Sequence, residues 1–467
     1  MSNTRAIGPG LRAILASSVS LVGTTAVTSG LGYVYWWVAA RRLAPAELGF
    51  GAAAISAMLL LGTMAMVGLG TLLIRELPRE GADGRALLTA ALATATFIGV
   101  ALGLLFALVA PHFSTDLGEL AESPASIGLF AVGVALTATT LVLDQALLGL
   151  LRAELQFVRN AMFALAKLGA LVFFIVGGWL VSGWQALYVA WLVGGLASLG
   201  GLTWLAWARG QSLLPARPRW AQLRALGGPA VAHHALNVAL QAAQLGLPVL
   251  VTVLLSPTTN AYFYTAWIMA SLVFVVPVAL TTSLYAVGSH DARELAAKVR
   301  FTLKLALLAA AIGNLVLLFG AGALLELLFG RAYADEAGSS LRIIALGAFP
   351  LIVKDHYVAI RRMSGQLVRP VLLLVAAAGL ELVLAGVGAR VGGLSGLSLG
   401  WLAALSLEIV PMARTVYDAA TRSDRGPHPL HQRRAATSAT SPSLHGSHSQ
   451  SLVVIEHKSR THERHAC

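Results

Sequence analysis

The sequence contains little charge for its length. Only 12% of its 467 residues are Asp, Glu, Lys or Arg, whereas 57% are hydrophobic and the mean hydropathy is +0.76. A soluble chain of this size carries charge on about one quarter of its residues. Because so much apolar surface needs lipid around it, the composition predicts an integral membrane protein.

The sequence also lacks the residues that several kinds of site require. Cys467 is the only cysteine, which excludes an intrachain disulfide and a cysteine-based metal cluster. There is no Walker loop, no HExxH and no GxSxG motif, so we expect neither enzymatic activity nor a cofactor or metal. The net charge of +12 is not clustered on a soluble basic face before the tail, and nucleic acid is not an expected partner.

What the sequence does contain is a series of long apolar runs, each about 20 residues or more and thus able to cross a bilayer as a helix. These twelve runs lie at 13–40, 46–74, 86–110, 125–151, 158–180, 184–208, 226–255, 260–288, 302–328, 339–360, 369–389 and 394–416. They predict an all-α integral membrane protein of about 12 transmembrane helices with the lipid bilayer as its surroundings.

The basic residues between the runs are distributed unequally. Eighteen lie on the side that includes the N-terminus, and five lie on the other side: Arg41, Arg42, Arg331, Arg342 and Arg390. The positive-inside rule therefore predicts that both termini are cytoplasmic. Residues 421–467 are polar, hold seven of the twelve histidines and are expected to form a disordered, solvated tail.

The two halves of the chain resemble each other at a nearly constant offset. Leu43-Ala44-Pro45 corresponds to Leu255-Ser256-Pro257 at an offset of 212, and further matches follow at 210. The duplication predicts six-helix bundles at 1–210 and 211–420, related by an axis along the membrane normal as in a parallel repeat. Bundles related in this way typically move against each other around a central site, which favours a transporter.

Polar side chains at bilayer depth are costly and mark candidate functional positions. The seventh run carries five of them, in a helical stripe with one neighbour beside it, which indicate either a cavity wall or contacts between helices: His233, His234, Asn237, Gln241 and Gln244. Two buried lysines are interpreted either as ligands of an anion or as paired or snorkelling groups: Lys167 and Lys354. Four acids are candidates for ion coupling or for structural pairing: Asp144, Asp355, Glu381 and Glu408.

The first run ends in YVYWWVAARRLAPAELGF. Its aromatic residues are expected to form a belt at the membrane interface, with Arg41 and Arg42 just beyond it: Tyr33, Tyr35, Trp36 and Trp37.

The same segment carries a family pattern, A-R-x-L-G-P-x-x-[FY]-G. Five positions match it, Ala40, Arg41, Leu43, Pro45 and Gly49, whereas Ala44 and Leu48 replace its Gly and aromatic residue. GLGTLLIREL, LLRAELQF and LFGRAYADEA fit further patterns in the same order. With its twelve runs and its duplication, the chain resembles the Wzx-like polysaccharide flippases, the O-antigen and exopolysaccharide exporters of the multidrug/oligosaccharidyl-lipid/polysaccharide (MOP) superfamily.

The resemblance implies export of a glycan carried on a polyprenyl diphosphate across the bacterial inner membrane by alternating access. Polysaccharide polymerase machinery is the partner it implies, and Arg41 is expected to meet the diphosphate. A cation-coupled multidrug exporter is one alternative, although its coupling acid is missing from the first run. A membrane polymerase, ligase or acyltransferase is another, for which His112 and Asp116 in an outer loop are the candidate pair.

Overall fold

The computed structural model describes most of the twelve predicted runs. The described residues are 30–80, 84–177, 183–209, 217–218, 220, 228–288, 292–365 and 368–421. The beginning of the first run, much of the connection between the two predicted bundles and the predicted tail beyond residue 421 lie outside them. Below, "inner" and "outer" denote the cytoplasmic and opposite sides that the positive-inside rule assigns.

Within these residues all regular structure is helical. In the first half the helices are α1 (30–42), α2 (Pro45–Ala65), α3 (Leu69–Glu80), α4 (Gly84–Val109), α5 (Pro124–Gly149), α6 (Ala153–Gly177) and α7 (Gly183–Ala208). In the second half they are α8 (Gly228–Leu254), α9 (Pro257–Ala286), α10 (Ala292–Phe329), α11 (Arg331–Leu346), α12 (Ala348–Met363) and the run Val368–Thr421. Two short 3₁₀ helices, Ala110–His112 and Thr115–Ala121, form the outer loop after α4.

The last run consists of two helices, because the backbone is non-helical at Gly392 and Gly393. We call the part before this break α13 and the part after it α14. They pack as a tight hairpin: a Cβ on Gly388 would overlap the backbone of Gly396, and one on Gly400 would overlap that of Leu384. Small residues at such crossings let membrane helices approach closely.

Counting α13 and α14 separately confirms the predicted number of spans. Ten segments of the described chain are long and apolar enough to cross a membrane, one of which contains both α13 and α14, and α1 is described only from residue 30. Two predicted spans are each built from two helices. The second breaks between α2 and α3, where Val67 and Gly68 have positive φ, and the tenth breaks at Gly347, between α11 and α12.

The ninth span differs most from its prediction. Helix α10 is 38 residues long and starts at Ala292, ten residues before the apolar run at 302. Its additional inner turns carry Lys298 and Arg300, which donate hydrogen bonds to the carbonyl oxygens of Val287 and Ala420. Charged turns that bind neighbouring backbone extend the helix beyond its hydrophobic segment, which a hydropathy pattern does not detect.

The duplicated proline motif begins equivalent helices, α2 at Pro45 and α9 at Pro257. These helices pack directly on each other across the halves. A Cβ on Gly49 would overlap the carbonyl oxygen of Pro257 and press on the backbone of Ala261, its equivalent at the offset of 212. Residues related by a two-fold axis meet only near that axis, so this contact lies close to the axis of the duplication.

Polar contacts fasten the halves on the outer side. The Asn260 amide donates to the Gly49 carbonyl at 2.7 Å, and the Tyr33 hydroxyl donates to the Ile268 carbonyl at 2.7 Å. Arg41 donates from Nε and Nη2 to the last-turn carbonyls of α10, Leu328 and Leu327, at 2.7 and 2.6 Å. A guanidinium there stabilises the negative end of the helix dipole. We call these contacts the outer seam.

The expected aromatic belt is wrong for two of its four residues. Tyr35 is fully buried with its hydroxyl bonded to the Leu187 carbonyl, and Trp36 is buried against Tyr264 of the other half. Trp37 is exposed. The aromatic side chains therefore serve helix packing and the outer seam more than the membrane interface.

The outer seam predicts a specific effect of adding one methyl group. Gly49→Ala should separate the outer ends of α2 and α9, because overpacking of this kind costs about 1–3 kcal/mol. Spin labels placed on the outer ends of the two helices should report a longer and broader distance distribution. Gly128→Ala in α5 is the matched control, because no atom lies near its added Cβ. Equal distributions in both variants would contradict the close contact.

Candidate functional site

Helix α8 presents the predicted polar stripe away from its packed face. Leu236 and Ala239 are buried among residues of α12, α13 and α14, whereas Gln241 and Gln244 are exposed. If these amide side chains faced hydrocarbon, their donors and acceptors would have no partner, and each unsatisfied group would cost roughly several kcal/mol. Since α8 also packs on α2 and α3 of the other half, this face borders the space between the halves. We call that space the inner gap.

An apolar cavity of about 410 Å³ lies beside the same helix. It is an open cavity lined by α2, α8 and α13, with Met64, Val238, Ala242, Val375 and Leu382 among its lining residues. His234 supplies a polar edge, and its Nε2 lies 3.3 Å from the Met64 carbonyl oxygen across the halves. Helix α8 therefore carries a polar face and an apolar cavity side by side.

Arg362 completes a cationic group at the inner end of the stripe. Its Nη2 donates to Oδ1 of Asn237 at 2.8 Å, and His233 lies one helical turn before Asn237 on the same side of α8. The Nε of Arg362 is buried and has no acceptor among the described residues. We call His233, Asn237 and Arg362 the inner cationic cluster. The positive-inside count treated Arg362 as an ordinary anchor, and no pattern in the sequence distinguished it from one.

Lys167 does not snorkel. Its side chain is 5% exposed, and its ammonium lies 3.9 Å from the ring centre of Trp191 and 4.9 Å from those of Tyr35 and Phe163. Within the described part of the chain it has neither a hydrogen-bond acceptor nor a carboxylate. The three rings hold the cation by cation–π attraction in place of a counter-ion.

Asp144 is paired with an arginine that the sequence did not single out. Nε and Nη2 of Arg159 donate to the two carboxylate oxygens at 2.6 and 2.5 Å, and Ser198 and Asn160 complete the arrangement. The two residues are equally distant from the turn between α5 and α6, a spacing that places them at one depth in an antiparallel pair. The bidentate pair has no net charge and is a structural element of the first half.

Lys354 also forms an internal ion pair, one of the two interpretations open for it. Its ammonium donates to Glu381 at 2.6 Å and to Glu408 at 2.9 Å, and Trp401 Nε1 donates to the second oxygen of Glu381 at 2.7 Å. All four residues are at most 4% exposed. Their neighbour Asp355 is half-buried and under the electrostatic influence of both Lys354 and Arg362.

The comparisons with known proteins concern the fold. No protein-family model matches the chain, and no curated protein matches it. An inward-facing multidrug resistance MATE family transporter of the MOP superfamily is 14% identical with a TM-score of 0.66, covering 87% of this chain and 99% of the other. The outward-facing form of such a transporter has a TM-score of 0.58 at 14% identity, with 90% and 97% covered.

A MOP superfamily transporter from Pyrococcus furiosus, whose reversed binding-pocket polarity suggests a different function, gives a TM-score of 0.53 at 14% identity, with 88% and 97% covered. Identities this low establish the fold alone. That fold is all-helical and consists of two six-helix bundles related by a parallel repeat.

The buried Asp144–Arg159 pair yields a stability prediction. Asp144→Asn should lower the free energy of unfolding by about 3–5 kcal/mol, because it leaves a buried guanidinium without its counter-charge. The double variant Asp144→Leu/Arg159→Met should recover most of the loss. Equilibrium unfolding in detergent, followed by tryptophan fluorescence, measures both.

Arg75→Gln is the control for this pair. Arg75 contacts Glu76 at 3.2 Å but is 62% exposed, so its loss should change stability by less than about 1 kcal/mol. An Asp144→Asn variant as stable as this control would show that the buried pair does not stabilise the first half.

Proposed function

We propose that the chain is an exporter that moves an anionic, lipid-linked oligosaccharide, carried on a polyprenyl diphosphate, across the membrane by alternating access. Its place is then the bacterial inner membrane with both termini in the cytoplasm, and polymerase machinery consumes the exported units. The observation that carries the proposal is the inner cationic cluster beside an apolar cavity on one helix.

The inner cationic cluster matches an anionic headgroup. Arg362 offers a buried Nε donor without an acceptor, and His233 adds an imidazole one turn before Asn237, the hydrogen-bond partner of Arg362. A guanidinium and an imidazole at one site bind phosphate oxygens by charge-assisted hydrogen bonds. Asn237, Gln241 and Gln244 continue along the same face and provide donors and acceptors for sugar hydroxyl groups.

The cavity matches the apolar part of such a substrate. It is lined by alanine, valine, leucine and methionine side chains, with His234 at one edge. A ligand that is polar at one end and hydrocarbon at the other can contact both faces of α8 at once. Purely polar substrates would leave the cavity unused.

The outer seam supports an arrangement that is closed on the outer side and accessible from the inner side. Arg41, Gly49 and Tyr33 join the halves on the outer side, whereas the polar face of α8 lies toward the inner gap. The TM-score is also higher with the inward-facing MATE transporter than with the outward-facing form. In this arrangement Arg41 is bonded to α10 and becomes available to an anion only when the outer seam opens.

A cation-coupled multidrug exporter is the second candidate. It is favoured by the MATE transporters of similar fold, which are described as multidrug resistance proteins. Against it, Asp144, the candidate coupling acid of the first half, is already neutralised by Arg159. The enzyme alternative has less support, because His112 and Asp116 are both exposed and not hydrogen-bonded to each other.

Transport by the purified protein separates these candidates. In proteoliposomes the proposal expects translocation of a fluorescent polyprenyl-diphosphate-linked oligosaccharide, detected by loss of its accessibility to a membrane-impermeant quencher. It expects no proton- or sodium-driven accumulation of ethidium. Ethidium transport without lipid translocation would establish the multidrug candidate, and polymerised product would establish the enzyme.

Arg362 provides the residue-level prediction. Arg362→Gln should lower the translocation rate at least about tenfold, because one charge-assisted hydrogen bond to the phosphate contributes about 1.5–3 kcal/mol. Arg331→Gln is the control, since Arg331 is 85% exposed on the outer side. Both variants are first checked for insertion and monodisperse purification. Wild-type rates in Arg362→Gln would remove the inner cationic cluster from the substrate site.

A further inference from the structure

The cluster of Lys354, Glu381 and Glu408 has more acid than base. One ammonium lies between two carboxyl groups, and each of the three side chains is at most 5% exposed. With both acids ionised, the cluster would hold one uncompensated negative charge inside a bundle of α12, α13 and α14. An unpaired charge in such surroundings is strongly disfavoured, and acids that share a site avoid it by keeping a proton.

The hydrogen bonds show which carboxyl oxygen is free to carry a proton. Glu381 uses both oxygens, one toward Lys354 and one toward Trp401, whereas Glu408 uses only Oε2. The other oxygen of Glu408, Oε1, is buried and has no partner among the described residues. We propose that the cluster binds one exchangeable proton, carried on Oε1 of Glu408, and is the proton site of the second half.

The other charged and titratable groups on the surrounding helices do not supply the missing charge. Asp355 adds acid rather than base. His356 is turned to α10, where its Nε2 lies 3.0 Å from the Thr302 hydroxyl, and its Nδ1 lies 2.7 Å from the Ile352 carbonyl of its own helix. His233 on α8 and Arg362 on α12 belong to the inner cationic cluster instead. From α9, the neighbour of Trp401 is the uncharged Trp267.

The first half provides the contrast. Asp144 faces one guanidinium with two hydrogen bonds, so that pair is already neutral and has no place for a proton. Of the four candidate coupling acids, the geometry therefore selects Glu381 and Glu408.

A route to the cluster lies along α13. Ala378 and Leu382 of this helix line the apolar cavity, and Glu381 lies at the same depth on the side toward α12 and α14. Only the thickness of one helix separates the proton site from the cavity. A movement of α13 that lets water into the cavity and past this helix would expose the proton of the cluster to water. Protonation would then be linked to the opening of the inner gap.

Trp401 is a built-in reporter of this proton, because its indole N–H is bonded to Glu381. The experiment is a fluorescence titration of the purified full chain across about pH 5 to 9, which brackets the range in which buried carboxyl groups titrate. Subtracting the Trp401→Phe signal isolates Trp401. We expect a single transition with the steepness of one proton in the wild type, its loss in Glu408→Gln, and its retention in Glu326→Gln, an exposed acid on α10.

Two results would overturn the proposal: a flat Trp401 signal in the wild type, or an unchanged transition in Glu408→Gln. If Glu408→Gln fails to fold, Glu381→Gln decides, because it leaves Lys354 and Glu408 as a neutral pair that needs no proton, so the transition should be lost there too. No substrate is used, so this outcome is independent of what the protein transports.

Discussion

The structure depends on one electrostatic constraint: a charge inside the membrane must be offset there, by a counter-charge or by the faces of aromatic rings. The first half satisfies it with a bidentate pair, Arg159 and Asp144, and with three aromatic rings around Lys167. The second half satisfies it with Lys354 between two glutamates. The polar side chains that have no such partner lie on α8 and face the inner gap. Buried charge thus fixes which helix faces are closed and which remain for a ligand.

The duplication made the two halves alike in backbone but not in charge. Equivalent prolines start α2 and α9, and equivalent residues, Gly49 and Ala261, meet near the axis. The ionic pairs, by contrast, are not reproduced: at the offset of 210, Asp144 corresponds to Lys354, so equivalent positions carry opposite charges. In the first half one guanidinium neutralises the buried Asp144, whereas in the second half two carboxyl groups face one ammonium. Under the proposed proton site, only the second half would respond to pH.

The number and order of the helices could be predicted, because long apolar runs have few alternatives to spanning a membrane. The stripe on α8 was also predictable from the helical period. Hydropathy could not predict that Tyr35 and Trp36 are buried, since an apolar side chain suits lipid and protein equally well. Nor could the positive-inside count separate Arg159 and Arg362 from true anchors, because it ignores distance to a buried partner.

The buried cluster had a readable pattern that hydropathy conceals. Lys354 and Glu381 are 27 residues apart, and Lys354 and Glu408 are 54 apart. Equal spacing across successive antiparallel helices returns the chain to the same depth each time. Two acids and one base at one depth are therefore a signature of pairing that a sequence can carry. The sequence does not specify how each helix is rotated about its own axis, and it is this rotation that keeps Asp355 outside the cluster.

Helix α10 has a mechanical consequence. Its 38 residues correspond to a rod of about 57 Å, nearly twice the thickness of the hydrocarbon core. Arg41 holds the outer end of this rod to the first half. A tilt of about 10° around that end would carry the inner end sideways by about 10 Å, as follows from the helix length. The long helix can therefore work as a lever arm, because a small rotation at its bonded outer end becomes a displacement of its inner end as wide as a helix.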